Sequence, residues 1–276
     1  MKNARASYHG ESRMFQLSKG TAHNIEAISR TLHLTTHQIA LGIVSLVLQA
    51  DNLTKQDLIL GSPYLGRQDE DMSTIGLFLQ PLPIRVPRRS KMGEDLGGGH
   101  VTDFLLAVRD SARAALGHGI GWTSLMNLLS LSDDENLRSA AATPSPNHPL
   151  FDAMVTFHEP SATGKASSLA NGAIAGVKPL ITWAEGAKFG IMFEFSVIRP
   201  SVVALRIEYD TTAFSADEVL VMAGRIDTGL EYLCQYMASS MKVKDVEERL
   251  LRVNSTAYSK SRVKGIEFGT RLATLT

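Results

Sequence analysis

The sequence is poor in several features that would point to particular classes of protein. It contains one cysteine, Cys234, in 276 residues, so an intrachain disulfide is excluded and a reducing compartment such as the cytoplasm is expected. Lysine and arginine together number 28, and so do aspartate and glutamate. A chain with no net charge lacks the long-range field that attracts nucleic acid or an anionic membrane. The composition therefore predicts neither partner.

Long apolar runs are also missing. The longest spans residues 39–48, whereas a helix needs about 20 apolar residues to cross the hydrocarbon core of a bilayer. The N-terminal residues contain no apolar segment of the kind found in a signal peptide. We therefore expect no membrane partner, and cytoplasmic residence follows as the default.

The histidines do not form a metal-binding pattern. His33 and His37 are four residues apart but lie on either side of a predicted helix break, so they do not share a helix face. The sequence has no His-Glu-x-x-His string, no paired cysteines and no Gly-x-Ser-x-Gly string. We predict no metal site and no serine-hydrolase site.

Helical periodicity and capping residues predict most of the helices. Two strings match the capping box that opens a helix, one from Thr35 to Gln38 and one from Ser215 to Glu218. We expect residue 234 to lie inside the second of these helices. The first dozen residues are polar and are predicted to be frayed. The predicted helices span residues 18–32, 35–50, 101–116, 123–131 and 215–237, with a short helix and tail after 241.

Alternating apolar residues predict the strands. Residues 189–197 and 203–209 alternate with period two across a short turn, which predicts a β-hairpin. Two more strands are expected at 58–63 and 151–157. Pro81 and Pro83 lack an N–H, so residues 74–86 cannot form an ordinary central strand. The order of elements predicts an α/β fold with helices against a mixed sheet.

Four segments resemble those of nonribosomal peptide synthetase condensation domains. Ile75, Gly76, Phe78 and Arg85 are similar to the Ile-Gly-x-Phe-Val-Asn-Thr-x-x-x-Arg segment of that family. The other three occur in the family's order, at residues 61–67, 147–152 and 207–214. The resemblance spans residues 18–254 and is carried by the order of the motifs more than by any one of them.

The resemblance implies a single lobe of the chloramphenicol acetyltransferase-like fold, with a mixed β-sheet flanked by helices. Residues 1–240 would form the C-terminal lobe of a condensation domain. Residues 241–276 would form a linker helix and tail toward a missing adenylation domain. The catalytic His-His-x-x-x-Asp-Gly motif belongs to the family's first lobe and does not occur in this sequence. The resemblance therefore implies a fragment of an acyltransferase-type enzyme that is inactive alone.

The same resemblance implies which partners and residues take part. Carrier proteins would present acyl and aminoacyl thioesters on phosphopantetheine arms, with no cofactor bound directly, and a missing N-terminal lobe would complete the channel. Glutamine and proline replace the family's asparagine and threonine at positions 80 and 81, and a surface role for Gln80 and Arg85 stays open. The channel candidates are Gly76, Phe78, Gln80 and Arg85, and the structural motif residues are Gly61, Arg67, Phe151, Tyr209 and Asp210.

Two other functions remain open at this stage. The lobe could dock a carrier protein or its partner lobe without chemistry, in which case its exposed docking surface should be apolar. Alternatively, His148 and Asp152 form a His-x-x-x-Asp string similar to that of coenzyme A acyltransferases, which would make the chain a stand-alone acyltransferase. Ala153 stands where that family has glycine. The favoured interpretation of this string is a loop that enters a strand, with Phe151 in the core.

Overall fold

The computed structural model describes residues 9–50, 58–65, 70, 73–74, 79–86, 98–135, 138, 150–158, 186–199, 201–236, 241–254 and 264–266. These residues form seven strands and six helices. The strands are β1 (Gly10–Gln16), β2 (Leu58–Leu65), β3 (Leu79–Val86), β4 (Ala153–His158), β5 (Ile191–Arg199), β6 (Val202–Asp210) and β7 (Lys264–Ile266). The helices are α1 (Thr21–Leu32), α2 (Thr36–Ala50), α3 (Val101–Gly117), α4 (Trp122–Ser130), α5 (Ala216–Tyr236) and α6 (Val243–Leu251).

The strands form one mixed sheet in the order β3-β2-β4-β5-β6-β1-β7. Strand β4 runs parallel to both of its neighbours, β2 and β5, and the other four pairs are antiparallel. The predicted hairpin is confirmed, because β5 and β6 pair with Phe193 opposite Ile207. The predicted α/β class with a mixed sheet is therefore confirmed as well.

The prediction of a frayed N-terminal segment is wrong for its described part. Residues 10–16 form β1, which lies between β6 and β7 in the sheet. This strand has a polar sequence, and its stability comes from partners that are about 200 residues away in the chain. The following helix begins at Thr21 instead of Ser18, since Ser18 is held outside it by Asp227 of α5. The Asp227 carboxylate also accepts a 2.6 Å hydrogen bond from the Thr21 hydroxyl.

The helices cover one face of the sheet with a continuous apolar core. Helix α2 is central, and almost all of its residues are buried, as its sequence predicted. Both predicted capping boxes are present. Thr35 and Gln38 exchange hydrogen bonds of 3.0 and 3.1 Å, and Ser215 and Glu218 exchange hydrogen bonds of 2.8 and 3.2 Å. The sheet residues in this core include Leu60, Ile84, Val155, Phe193, Phe195, Leu205, Ile207 and Tyr209.

Helix α6 is packed into this core. Its residues Val243, Val246 and Leu250 are fully buried, and the helix contacts α2 and α5. Apolar residues therefore tie the start of the predicted 241–276 segment to the lobe. The role of that segment as a linker toward another domain stays a prediction.

Strand β3 lies at the edge of the sheet, which explains how it accommodates two prolines. Pro81 pairs with Pro63 of β2, and Pro83 pairs with Gly61. A proline is tolerated in an edge strand because such a strand has a neighbouring strand on one side only, so an N–H on the other side would have no strand to bond. The prediction that residues 74–86 do not form a central strand is confirmed for the part that the structure describes.

No single helix in the described ranges is long and apolar enough to cross a membrane. Helices α1 and α2 pass that test only as a joined pair bent by 106°. Most of α2 is buried in the core of the lobe.

Candidate functional site

Two of the predicted motif residues, Gly61 and Phe151, are in close contact. Strands β2 and β4 are parallel neighbours, with Gly61 opposite Met154. Phe151 enters β4 and is 4% exposed, so the prediction that its ring packs into the interior is confirmed. A Cβ atom on Gly61 would lie 2.1 Å from Cε2 of Phe151. The glycine is therefore required by the ring that covers it, and Phe151 in turn stacks on Phe189 at 5.7 Å.

Gln80 has a structural contact that sequence reasoning missed. Its side-chain carbonyl oxygen accepts a 2.7 Å hydrogen bond from the backbone N–H of Trp122. Trp122 is the first residue of α4, and the preceding Gly121 has no side chain to cap the helix. Gln80 therefore caps α4 from another strand, since an uncapped first turn leaves backbone N–H groups without partners.

Arg85 lies on the outer edge of the sheet. Its side chain is exposed, and its backbone carbonyl accepts a hydrogen bond from the Ser111 hydroxyl of α3. Gln80 and Arg85 thus join the edge strand β3 to α4 and α3. Asp152 is half-buried beside Phe151, and its backbone carbonyl bonds Ile191 N–H at 3.0 Å. The other predicted site residues, Arg67, Gly76, Phe78 and His148, lie outside the described residues.

Tyr209 and Asp210 end strand β6 with fully buried side chains. The Tyr209 hydroxyl donates a 2.9 Å hydrogen bond to Glu11 of β1. Burial is the main cause that raises the pKa of this tyrosine, and the Glu11 carboxylate raises it further. The Asp210 carboxylate accepts hydrogen bonds of 2.8 and 2.6 Å from the backbone N–H and hydroxyl of Thr212. This turn directs the chain out of the sheet toward α5, in agreement with a structural role.

His37 and Ser62 form a partly buried polar pair between the first turn of α2 and strand β2. His37 Nε2 lies 2.7 Å from Ser62 Oγ. Burial lowers the pKa of His37 to about 4, so the imidazole is neutral at pH 7. The tautomer of the ring decides whether Nε2 or the serine hydroxyl donates in this hydrogen bond. The sequence placed His37 on a helix but gave no sign of its partner, which is 25 residues away.

We expect this histidine to make the fold sensitive to acid. Its pKa is about 4 in the folded chain and 6.5 in its ordinary state, so protonation favours unfolding. The contribution of the neutral imidazole to the free energy of unfolding is fully present above pH 6.5 and is lost progressively as the pH falls toward 4. The difference of about 2.5 pKa units corresponds to a loss of about 3 kcal/mol. Urea unfolding at pH 7.5 and pH 4 would measure it.

The matched variants separate this effect from that of the many carboxylates. His37→Gln keeps a hydrogen-bond acceptor for Ser62 but does not titrate, so its stability should fall less between the two pH values than that of the wild type. His23→Gln, at an exposed position of α1, should behave like the wild type. Equal acid sensitivity in His37→Gln and the wild type would contradict the assignment.

A row of charged side chains crosses the other face of the sheet. We call His158, Glu194, Arg206 and Glu208 the β4–β6 ladder. Arg206 donates 2.9 Å hydrogen bonds to Glu194 and to Glu208, and His158 Nε2 lies 2.9 Å from the second oxygen of Glu194. The hydrogen bond from His158, followed by that from Arg206, lowers the pKa of Glu194 to about 2, although partial burial alone would raise it. The signal in the sequence that could have indicated this row is the period-two alternation along the strands, which puts the four ladder residues on one face of the sheet.

The region from the end of α3 to the residue after α4 exposes four large apolar side chains. Helix α4 has no buried residue, and Leu128 and Leu131 are 60% and 80% exposed. Leu116 and Ile120, which precede the helix, are about half exposed. We call these four side chains the α4 surface. It lies on the segment that Gln80 fastens to the sheet edge.

Comparison with sequence families gives one match. The model of the family described as "Condensation domain" matches residues 1–248. The nonribosomal peptide synthetase ataP of Aspergillus terreus is 37% identical over 233 residues, which are 84% of this chain and 14% of the synthetase. The nonribosomal peptide synthetase aclP of Aspergillus oryzae is 30% identical over 273 residues, which are 98% of this chain and 15% of the synthetase. The chain thus spans about one seventh of these relatives.

In two solved structures with a similar fold, this chain covers about half of the other molecule. The condensation domain of the monacolin K polyketide synthase MokA superposes with a TM-score of 0.67 at 19% identity, over 88% of this chain and 51% of that domain. The X-domain from teicoplanin biosynthesis gives a TM-score of 0.64 at 17% identity, over 89% of this chain and 51% of that one. At this identity the likeness shows the fold alone, and this chain accounts for half of each.

Proposed function

Because the chain belongs to the condensation-domain family, we propose that it is the C-terminal half of a nonribosomal peptide synthetase condensation domain. In this role it contributes to amide bond formation between carrier-bound acyl and aminoacyl thioesters. One observation carries the proposal: the chain superposes on 51% of a solved condensation domain, and its sequence lacks the His-His-x-x-x-Asp-Gly motif. The half that is present would supply one wall of the channel.

The chemistry of the reaction supports a function that needs both halves. An amine is already a good nucleophile toward a thioester, so catalysis comes largely from holding the two groups together, which can lower a barrier by about 7–11 kcal/mol. A group that accepts the amine proton adds about 10²–10⁴-fold. One wall cannot position two substrates. We therefore expect this chain to be inactive until a first lobe faces it.

The proposal also specifies the partners. The substrates would arrive on the phosphopantetheine arms of peptidyl carrier proteins, and an adenylation domain would follow in the same synthetase. The missing N-terminal lobe is the partner that completes the channel. The relatives are named as nonribosomal peptide synthetases, which supports this environment. The single cysteine, half-buried in α5, supports a reducing compartment, and we place the protein in the cytoplasm.

The α4 surface supports a second candidate, in which the lobe docks a partner without taking part in chemistry. Exposed leucines at positions 128 and 131 form the apolar exterior that a docking surface requires. Both candidates use the same partner lobe. They differ in whether the assembled domain forms an amide bond.

A chimera tests the proposal within a complete synthetase. This chain would replace the segment of the Aspergillus terreus synthetase that it matches, so that the first lobe and carriers come from the relative. We expect amide-linked product on the downstream carrier, measured by mass spectrometry of the intact carrier. The same chimera with Gly61→Ala is the matched comparison, because its destabilised lobe should give less folded chimera and less product.

The outcomes distinguish the two candidates. Amide formation by the chimera supports a catalytic half. A folded chimera with loaded carriers that forms no amide contradicts that role and favours docking alone. Circular dichroism of the purified chimera and mass spectrometry of the loaded carriers establish which case applies.

A further inference from the structure

Helix α4 has little stability of its own. It has nine residues, and none of them is buried. Its first turn contains no acidic residue and its last turn no basic residue, so charged side chains do not stabilise the helix dipole. A helix shorter than about 12 residues is marginal in water by itself. The order of α4 therefore depends on how it is fastened to the rest of the lobe.

Two neighbouring residues of the sheet edge fasten the N-terminal end of this helix. Gln80 of β3 and Tyr64 of β2 lie opposite each other. Gln80 accepts the 2.7 Å hydrogen bond from Trp122 N–H. A Cβ atom on Gly119 would lie 3.3 Å from Cε1 of Tyr64, so the backbone before the helix lies against the tyrosine ring. Both contacts lie at one end of α4, and the far end carries Leu128, which is 60% exposed.

Two glycines, Gly117 and Gly121, lie at the two ends of the segment that joins α3 to α4. A Cβ atom on Gly117 would meet no other atom within 4 Å, and one on Gly121 would lie 3.7 Å from Oε1 of Gln80, which is an ordinary contact. Neither glycine has a positive φ. Space and backbone conformation therefore allow other residues at both positions. What glycine adds is rotational freedom of the backbone, which is the property of a hinge.

We propose that α4 is a hinged element, which turns about Gly117 and Gly121 and is latched to the sheet edge by the hydrogen bond between Trp122 N–H and Gln80. In the latched position the helix lies as the structure shows it. When the latch opens, α4 moves relative to α3 while the sheet and the core helices keep their places. The apolar core does not resist this motion, because no residue of α4 is buried in it.

The latch couples the position of α4 to a residue of the proposed channel. The family resemblance places Gln80 at the channel, and in the latched position its side-chain carbonyl oxygen is bound to α4. Movement of α4 frees this oxygen for another donor. A partner that covers the released α4 surface and a substrate that donates to Gln80 would therefore favour the same position of the helix. This consequence rests on the proposed function, whereas the hinge and the latch do not.

The test measures the distance between α3 and α4 in the whole chain with two spin labels and electron spin resonance. The labels are attached in Arg113→Cys/Asn127→Cys, at two exposed positions, and Cys234→Ser removes the native thiol. A reference pair, Arg113→Cys/His23→Cys, joins α3 to an exposed position of α1. We expect one main and one minor distance for the α3–α4 pair, and a single distance for the reference pair.

Three variants in this labelled chain separate a latch from a simple helix cap. Gln80→Leu removes the acceptor, and we expect the population of the second distance to rise about fivefold, the equivalent of one hydrogen bond. Gln80→Glu keeps an oxygen acceptor at the helix N-terminus, so this population should stay within about twofold of the wild-type value. Gln80→Leu/Gly121→Ser supplies a cap within the helix but no connection to β3, so the second distance should remain.

Three results would overturn the inference. The first is an unchanged distance distribution in Gln80→Leu. The second is the disappearance of the second distance in Gln80→Leu/Gly121→Ser, which would show that Gln80 serves only to cap the helix. The third is an equal change in the reference pair, which would show that the whole lobe loosens. None of these measurements depends on amide formation, so each of them leaves the proposed function standing.

Discussion

Replacing Gly61 with alanine is expected to destabilise the lobe by about 4 kcal/mol, which is a large part of the roughly 5–15 kcal/mol that stabilises a typical domain. The added Cβ would lie 2.1, 2.5 and 2.6 Å from three ring atoms of Phe151. The ring cannot move aside easily, because it is buried and stacked on Phe189. Overpacking usually costs about 1–3 kcal/mol, and three contacts below 3 Å put this case above that range. Urea unfolding followed by circular dichroism would measure the change.

Two variants give this prediction its controls. Gly117→Ala adds a methyl group at the end of α3, where no other atom lies within 4 Å, and should change stability by less than about 0.5 kcal/mol. Phe151→Leu removes the ring edge, so the double variant Gly61→Ala/Phe151→Leu should be more stable than Gly61→Ala alone. Full stability in Gly61→Ala would show that the contact between the two motif residues does not constrain the fold.

Arg206→Met is expected to cost about 3–5 kcal/mol, since it leaves a buried carboxylate without its nearest charge partner and with only the exposed Lys188 ammonium at 3.9 Å. Glu208 is 2% exposed, and the guanidinium of Arg206 is the cation that lies within 3 Å of it. Methionine preserves much of the volume of the side chain, so the effect reports on charge more than on packing. Chemical unfolding at pH 7 provides the measurement, and Arg206→Met/Glu208→Gln should regain part of the loss.

A surface ion pair serves as the comparison. Arg30 and Glu26 form an i,i+4 pair on α1, with side chains 75% and 55% exposed. Arg30→Met should cost less than about 0.5 kcal/mol, because exposed pairs are screened by solvent. If Arg206→Met and Arg30→Met had similar effects, the buried ladder would not stabilise the lobe in the way described here.

Features encoded within a short stretch of sequence were predictable. The two capping boxes and the β5–β6 hairpin depend on residues three positions apart or alternating along a strand, and the structure contains all of them. Two prolines within residues 79–86 indicated that this stretch is not an ordinary central strand, and the structure places it at the edge of the sheet. Gly61 and Phe151 were identified separately as motif residues by resemblance, but their contact depends on the parallel pairing of β2 and β4.

Features that depend on distant partners were not predictable. Strand β1 has a polar sequence and exists because β6 and β7 pair with it. Gln80 was expected at a channel, and its bond to Trp122 N–H follows from where α4 begins. Alternation put Glu194 and Arg206 on the same face as His158, yet nothing in the pattern showed that they form one row. Periodicity predicts the face of each residue, whereas strand order determines its neighbours.

These contacts explain how the half-domain that we propose can fold without a partner lobe. A single core joins five of the helices to one sheet face, so the lobe has the apolar interior that a stable domain requires. Helix α4 lies outside this core and carries exposed leucines. The lobe is therefore complete as a folding unit, and its α4 surface is the part that we expect a partner to cover.

The central claim is that this chain supplies one half of a channel and that amide formation needs the other half. The most direct test incubates the isolated chain with an acyl thioester and an aminoacyl thioester, both loaded on carrier proteins, and measures the amide product. The account predicts a rate equal to that of the same substrates without the chain. Sustained turnover above that background by the isolated chain would contradict it.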